Sequence, residues 1–355
     1  MNQKQFFSII VGAAISIGGL YLAFRNIPLA EMWGYLATIN YFWIVPAGAL
    51  VMLSFVLRVF RWQVILGSTH KVAFWPAFHA LMIAFMINTI LPGRVGELAR
   101  PAILKKNQGI KYSTGLATVA TERAFDIIII ISLFFMVMSF SQIDPDISVA
   151  FGEYQLNSNT LGSIIAGFAK LGLVLIIGIM LVSINKSRYW INRMILKAPH
   201  IVFFFLGKNL QNRIVEKICM KVVALVDSFA SGFEMIKSPG KIFVSIALSA
   251  LIWVSALLSY SAFAIGCPGI GISLIEMAAV MVIVCIFIAL PSVPGYWGLW
   301  EAGGIFALAL FGVTGKEAAG FTLANHVIQM IPVMIVGAVS AWITGVNVWR
   351  ASIDK

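Results

Sequence analysis

Apolar residues fall in long runs along this chain, at about 6–24, 42–57, 74–91, 114–140, 161–184, 241–265, 274–290, 303–313 and 320–347, and most polar residues sit in the gaps between them. A helix needs about twenty apolar residues to cross a bilayer, so the pattern predicts an all-α polytopic membrane protein. Three runs depart from ordinary spans. The run 74–91 ends at Pro92-Gly93, and the run 274–290 ends at Pro291 with Pro294-Gly295 close behind. The run 303–313 is about half a span. Proline and glycine at these points predict breaks in the helices.

Composition sharpens this picture. Of 355 residues, 60% are hydrophobic and 11% are charged, against about 25% charged in a soluble domain. The net charge of +11 comes from lysines and arginines between the runs, where the positive-inside rule places them. There is no basic stripe with interleaved aromatics, so nucleic acid is not an expected partner. Cys219, Cys267 and Cys285 have no ligand spacing. With no G-x-S-x-G, H-E-x-x-H or CxxC motif, neither a metal nor a cofactor is expected, and the chain is expected to be no enzyme.

Charge also orients the chain. Segments 58–71, 94–111 and 186–241 are basic, whereas 141–160 holds Asp144, Asp146 and Glu153 with no basic residue. The first three are read as cytoplasmic and the last as external. With the N-terminus inside, segments 74–104 and 274–313 must each enter and leave by the same face. The count is about six full spans plus two re-entrant helical hairpins, in one membrane domain over 1–355, with both termini in the cytoplasm and the cell (inner) membrane as location. The order span, hairpin, span occurs at 42–140 and again, inverted, at 241–347. The hairpin turns match in sequence: Pro92-Gly93-Arg94-Val95-Gly96-Glu97 against Pro294-Gly295-Tyr296-Trp297-Gly298, with Glu301 three residues on. Inverted repeats with broken helices characterise many secondary transporters. Between the halves, 186–240 is basic and amphipathic, and reads either as an interfacial helical segment or as a solvated cytoplasmic linker.

Polar residues at membrane depth are costly and tend to face a cavity or a partner. Arg58 and Arg61, followed by Trp62, either snorkel at the inner interface or hold a headgroup phosphate. Asn88, Arg94, Glu97 and Arg100 surround the first turn. There Glu97 and Arg100 either pair at i,i+3 or form a tip that receives an anion. Glu122 and Asp126 share a helix face and repel unless Arg123, another arginine, a proton or a cation intervenes. A structural lock and a coupling role both fit them. Glu301, flanked by Trp297 and Trp300, has no basic residue nearby, and is read as a proton relay or as the partner of an arginine from the first half. Asn325, His326 and Gln329 lie in the last span, where Asn325 and Gln329 suit interhelical hydrogen bonds.

Together, Arg58-x-x-Arg61-Trp62, Asn88 with Leu91-Pro92-Gly93-Arg94-Val95-Gly96-Glu97-x-x-Arg100, Glu122-Arg123-x-x-Asp126 and Pro294-Gly295-x-x-Gly298-x-x-Glu301 resemble the transmembrane region of lysylphosphatidylglycerol synthases, also called the flippase-like family. The resemblance spans about residues 5–350. It implies lipid handling: in the larger synthases the membrane part is held to move lipid between leaflets, while a separate soluble domain transfers the aminoacyl group. No such domain is read within these 355 residues. One departure is the bulky Tyr296-Trp297 where the family usually has small residues after Pro-Gly, which leaves the substrate open. The expectation is a flippase for an anionic polar lipid, a phospholipid or an isoprenoid- or hopanoid-type envelope lipid, with proton or cation coupling as an option. Substrate contacts would come from Arg58, Arg61, Asn88, Arg94, Glu97, Arg100 and Trp297, and coupling or ion pairing from Glu122, Arg123, Asp126 and Glu301. A membrane enzyme or accessory of polyprenyl-lipid glycoconjugate synthesis, and a lipid-binding scaffold for a partner synthase, remain the alternatives. A membrane lipid is the expected partner, with a homo-oligomer or a lipid-modifying enzyme as further options.

Overall fold

The computed structural model describes residues 14–346 except 15, 22, 26, 68–69, 92–93, 141–148, 152–153, 157–165, 168–169, 171–172, 175–176, 179–180, 183, 203–213, 233–237, 290–293 and 314. Pro92 and Gly93 of the first turn therefore lie outside the described residues. So do Asp144, Asp146 and Glu153 of the acidic segment.

Helical residues between 14 and 24 lead to α1 (Leu29–Thr38). Asn40 then starts a short 3-10 turn, its side-chain oxygen accepting from Phe42 N–H at 3.1 Å. The first half follows as α2 (Ile44–Leu66), α3 (Phe74–Ile90), α4 (Gly96–Gln108) and α5 (Tyr112–Phe140). Segment 186–240 contains α6 (Asn185–Val202) and α7 (Ile214–Gly232). The second half is α8 (Pro239–Ile265), α9 (Leu274–Ala289), α10 (Leu299–Ala309) and α11 (Gly315–Thr344). The all-helical expectation needs one amendment. Val149–Phe151 and Tyr154–Leu156 pair as two short antiparallel strands, β1 and β2, inside the acidic segment.

Local sequence accounts for several helix ends. Gly109, at φ 67°, closes α4 in the left-handed conformation that glycine adopts without a Cβ clash. Pro239 occupies the first position of α8, where its missing N–H costs nothing. Among the described residues, three segments are long and apolar enough to cross a membrane: Tyr41–Leu66, Pro239–Ile265 and Gly315–Thr344. Helices α3 and α9, at 17 and 16 residues, are shorter apolar helices.

The helices pack in matching pairs. Helix α2 lies along α8. Helix α3 packs on α4 and on α11, as α9 packs on α10 and on α5. Helix α4 packs on α5, as α10 packs on α11. Lengths correspond too: 23 and 27 residues for α2 and α8, 13 and 11 for α4 and α10, 29 and 30 for α5 and α11.

The polarity of the surface suits lipid rather than water. On α11, Ile331, Ile335, Val339 and Trp342 are exposed along one face. On α8, Phe243, Leu251, Val254 and Leu258 are exposed while Ser245, Ser249, Ser255 and Ser259 are buried. Lipid gives no hydrophobic drive to bury the first set, and the buried hydroxyls of Ser249, Ser255 and Ser259 donate to carbonyls of α8 itself or of another helix. Ser259 Oγ, for example, donates to the Ala47 carbonyl of α2 at 3.0 Å.

Candidate functional site

Among the described residues, two polar centres lie within this bundle, one at each hairpin. The first gathers residues from α2, α4, α5 and α8. Arg61 is fully buried on α2, and its Nη1 meets Asp126 Oδ1 at 2.6 Å and Ser249 Oγ at 2.8 Å. Arg100 on α4 meets Glu122 Oε2 at 2.5 Å, and Arg61 Nη2 lies 3.8 Å from the other oxygen of that carboxylate. Arg58 and Arg123 approach Asp126 Oδ2 at 3.7 and 3.1 Å. Arg123 also reaches Glu97 at 3.7 Å. The Arg100 guanidinium stacks on Trp62, 3.4 Å from the ring centroid, and Trp62 Nε1 donates to Thr118 Oγ1 at 3.0 Å. A planar guanidinium suits this double use, pairing at its edge and stacking on its face.

This geometry decides between several readings. Arg61 does not snorkel; it is held inside the bundle by two carboxylates. Glu97 and Arg100 do not pair at i,i+3, because Arg100 turns to Glu122 and Glu97 to Arg123. The repulsion expected between Glu122 and Asp126 is answered by arginines from α2, α4 and α5 itself. Four guanidiniums thus face three carboxylates, an excess of one positive charge in their ionised forms. Nε and Nη2 of both Arg61 and Arg100, and Nε of Arg58 and Arg123, are buried without a hydrogen-bond partner among the described residues. Burying such donors without partners is costly. The side chains of Arg58, Arg123 and Glu97 retain 14%, 29% and 28% exposure, so the cluster opens on that side.

Asn88 acts locally. Its Oδ1 accepts the Gly96 N–H at 2.8 Å, tying α3 to the start of α4. Gly96 is required there, since a Cβ would lie 1.8 Å from the Ala84 carbonyl oxygen.

The second centre surrounds Glu301, which is fully buried. Its partner is not an arginine from the first half. His326 Nδ1 on α11 lies 2.6 Å from Glu301 Oε1, and Gly298 N–H donates to Oε2 at 2.7 Å. His326 Nε2 lies 2.8 Å from the Gly295 carbonyl oxygen. Trp297 and Trp300 pack on the imidazole at 4.4 and 4.6 Å, the latter parallel within 6°. Gly298, at φ 88°, sits where a Cβ would be 2.1 Å from the Ser16 carbonyl oxygen. Gln329 Nε2 reaches Ser259 Oγ on α8 at 2.9 Å.

The two turns meet. Arg94 and Tyr296 occupy equivalent motif positions, and both have positive φ, 54° and 62°. They are the non-glycine residues of that kind among the described residues, a conformation that carries strain. The Arg94 guanidinium lies 5.8 Å from the Tyr296 ring centroid, and its Nη2 donates to the Ile288 carbonyl at 3.1 Å. A cation thus sits at the C-terminal end of α9, where the helix dipole favours it.

The four motifs that carry the resemblance now have a geometry: three form the arginine–carboxylate cluster and the fourth the histidine-bound turn. Residues 9–337 match the family described as the lysylphosphatidylglycerol synthase TM region. The chain belongs to that family. It is a membrane protein of a lipid-related family. Glycosyltransferase AglD of Haloferax volcanii is 24% identical over 356 residues, covering 95% of this chain and 54% of that protein. The chain thus spans about half the length of this curated relative. That match overturns the expectation that the chain is no enzyme, since a protein named as a glycosyltransferase aligns with nearly all of it. No solved structure matches the chain.

Sequence reasoning gave no role to His326 beyond a place in a polar span, and missed Ser249, Thr118 and Tyr296 as partners. A titratable ring in the middle of an apolar run was the available signal for His326. Ser249 carried none, because its role depends on α8 lying against α2.

Proposed function

We propose that this chain binds the anionic headgroup of a membrane lipid at the α2–α4–α5 arginine cluster and moves that lipid between leaflets. The supporting observation is the excess of guanidiniums over carboxylates in a buried centre whose arginines keep unpaired donors. An oxyanion offers the acceptors such donors require. The paired packing of the helices, their matched lengths and the shared positive φ of Arg94 and Tyr296 support reading 42–140 and 241–347 as inverted halves, the arrangement used by alternating-access transporters. In this reading 186–240 lies on the cytoplasmic side of the cell membrane with both termini, and Arg58 and Arg94 first meet the headgroup. The lipid is a phospholipid or an isoprenoid- or hopanoid-type envelope lipid.

The test uses the purified chain in vesicles carrying fluorescent phosphatidylglycerol or phosphatidylcholine. Accelerated transfer of the anionic lipid is expected, with Arg58→Gln slowing it about tenfold. Arg58 suits the test because its contact with Asp126 is long, at 3.7 Å. No transfer above empty vesicles for any anionic lipid would remove the transport reading.

The glycosyltransferase relative favours a second reading, in which the chain is a membrane enzyme of polyprenyl-lipid glycoconjugate synthesis that transfers a group to or from the lipid. Mass spectrometry of polyprenyl lipids incubated with the protein and a sugar donor distinguishes the two: a new covalent species belongs to the second alone.

A further inference from the structure

The second polar centre contains a constraint on protons that follows from geometry alone. A carbonyl oxygen only accepts, so the 2.8 Å contact of His326 Nε2 with Gly295 requires the hydrogen on Nε2. Nδ1 then faces Glu301 Oε1 at 2.6 Å. Two lone pairs do not approach so closely, so a further proton lies between them, as imidazolium with carboxylate or imidazole with carboxylic acid. Either form is neutral overall. Its loss leaves a net negative charge on residues that are 0% and 1% exposed.

The surroundings offer little to receive that charge. Helix α10 supplies Trp300, and the turn supplies Trp297 and the Gly298 amide. Helix α11 adds neutral Asn325 and Gln329. Tyr260 of α8 stacks on Trp300, and α9 brings Cys285 near Tyr260. The N-terminal helical stretch packs Ser16 and Gly19 on Gly298. Among the described residues, no lysine or arginine forms an ion pair with Glu301.

From this geometry we infer that Glu301 and His326 form a proton-binding site that latches the second hairpin turn to α11, so that release of the shared proton frees the turn. The pair holds the turn at two backbone points, the Gly295 carbonyl and the Gly298 amide. Without the proton, Oε1 and Nδ1 repel and the carboxylate is drawn toward water. Tyr296 lies between those two points and carries Arg94 on its ring, so freeing the second turn also frees a residue of the first turn. The inference rests on the transport reading only for its consequence, which is that lipid movement is coupled to protons rather than to a metal cation.

Glu301→Gln isolates the proton from the hydrogen bonds. Its amide donates to Nδ1 and its carbonyl accepts from Gly298, so the latch stays closed without an exchangeable proton. Histidine 15N spectra of the full chain in lipid nanodiscs, with the His326 signals assigned by their loss in His326→Gln, read the site directly. In wild type Nδ1 should report the shared proton, as a bound hydrogen or as an accepted hydrogen bond, and should lose it once the proton is removed. In Glu301→Gln, Nδ1 should report an acceptor at every pH. His326 signals that stay identical in the two proteins across the whole pH range overturn the site. In vesicles with a trapped pH indicator, wild type should carry protons with lipid, and Glu301→Gln should lower both rates about tenfold. Wild-type proton and lipid fluxes in that variant overturn the latch. If no lipid moves at all, the transport reading fails, while the spectra still decide the proton site.

Discussion

At the scale of single residues, the decisive fact is where the arginines end. Arg61 has 0% exposure and shares two carboxylates that themselves come from α5. Removing one member of such a buried network leaves uncompensated charge, at a cost of about 3–5 kcal/mol. Arg61→Ala should therefore sharply lower the thermal midpoint in detergent. The contrast is Arg188→Ala, which breaks an exposed contact with Asp227 at 3.7 Å and should change stability by less than about 1 kcal/mol. Equal losses in the two variants would contradict the buried network as the source of stability. Arg100→Lys should also destabilise, since an ammonium cannot pair with Glu122 and lie flat on Trp62 at once. These residues were legible as anomalies, because charges in apolar runs stand out. Their partners were not legible: Glu97 looked set for Arg100 at one turn's distance, yet a stronger site for Arg100 existed on another helix.

At the scale of elements, the hairpins depend on two glycines for different reasons. Gly96 permits backbone contact between α3 and α4, with Ala84 O in the place of a Cβ. Gly298 combines positive φ with the approach of the N-terminal helical stretch. Gly96→Ala and Gly298→Ala should each lower the thermal midpoint, through forced backbone displacement in the first and added strain of about 1–3 kcal/mol in the second. Gly48→Ala is the control: nothing lies within 4 Å of its added Cβ within α2. That change should be neutral or stabilising by up to about 1 kcal/mol, since alanine is the better helix former. The Pro-Gly breaks were visible as interruptions of apolar runs. Their meeting, with Arg94 over Tyr296, was not, because nothing local brings two turns some two hundred residues apart into contact.

At the scale of the whole molecule, two helix sets pack alike around α2 and α8, and the proposed reading makes them halves that enter the bilayer from opposite sides. A cysteine placed at Lys106 should then react with a membrane-impermeant thiol reagent only from the cytoplasmic face, and one placed at Asp144 only from the external face. Labelling of both from the same face would overturn the inverted threading. The amphipathic helices α6 and α7 present Trp190, Met194, Ile218 and Met220 as exposed apolar residues beside Arg193 and Lys221, the composition of a segment lying at an anionic interface.

The sequence by itself determined the class of solvent, the positions of the helix breaks and the identity of the residues too polar for their surroundings. Each is a property of a run or a single residue: transfer energies set the first and third, and the backbone limits of proline and glycine set the second. Tertiary structure alone decided which charges neutralise one another. Glu301 faces His326 and not an arginine, and Arg61 binds Ser249 as well as Asp126. Inside a bilayer every buried polar group seeks whichever partner the packing brings within reach, and that partner is set by how whole helices lie together.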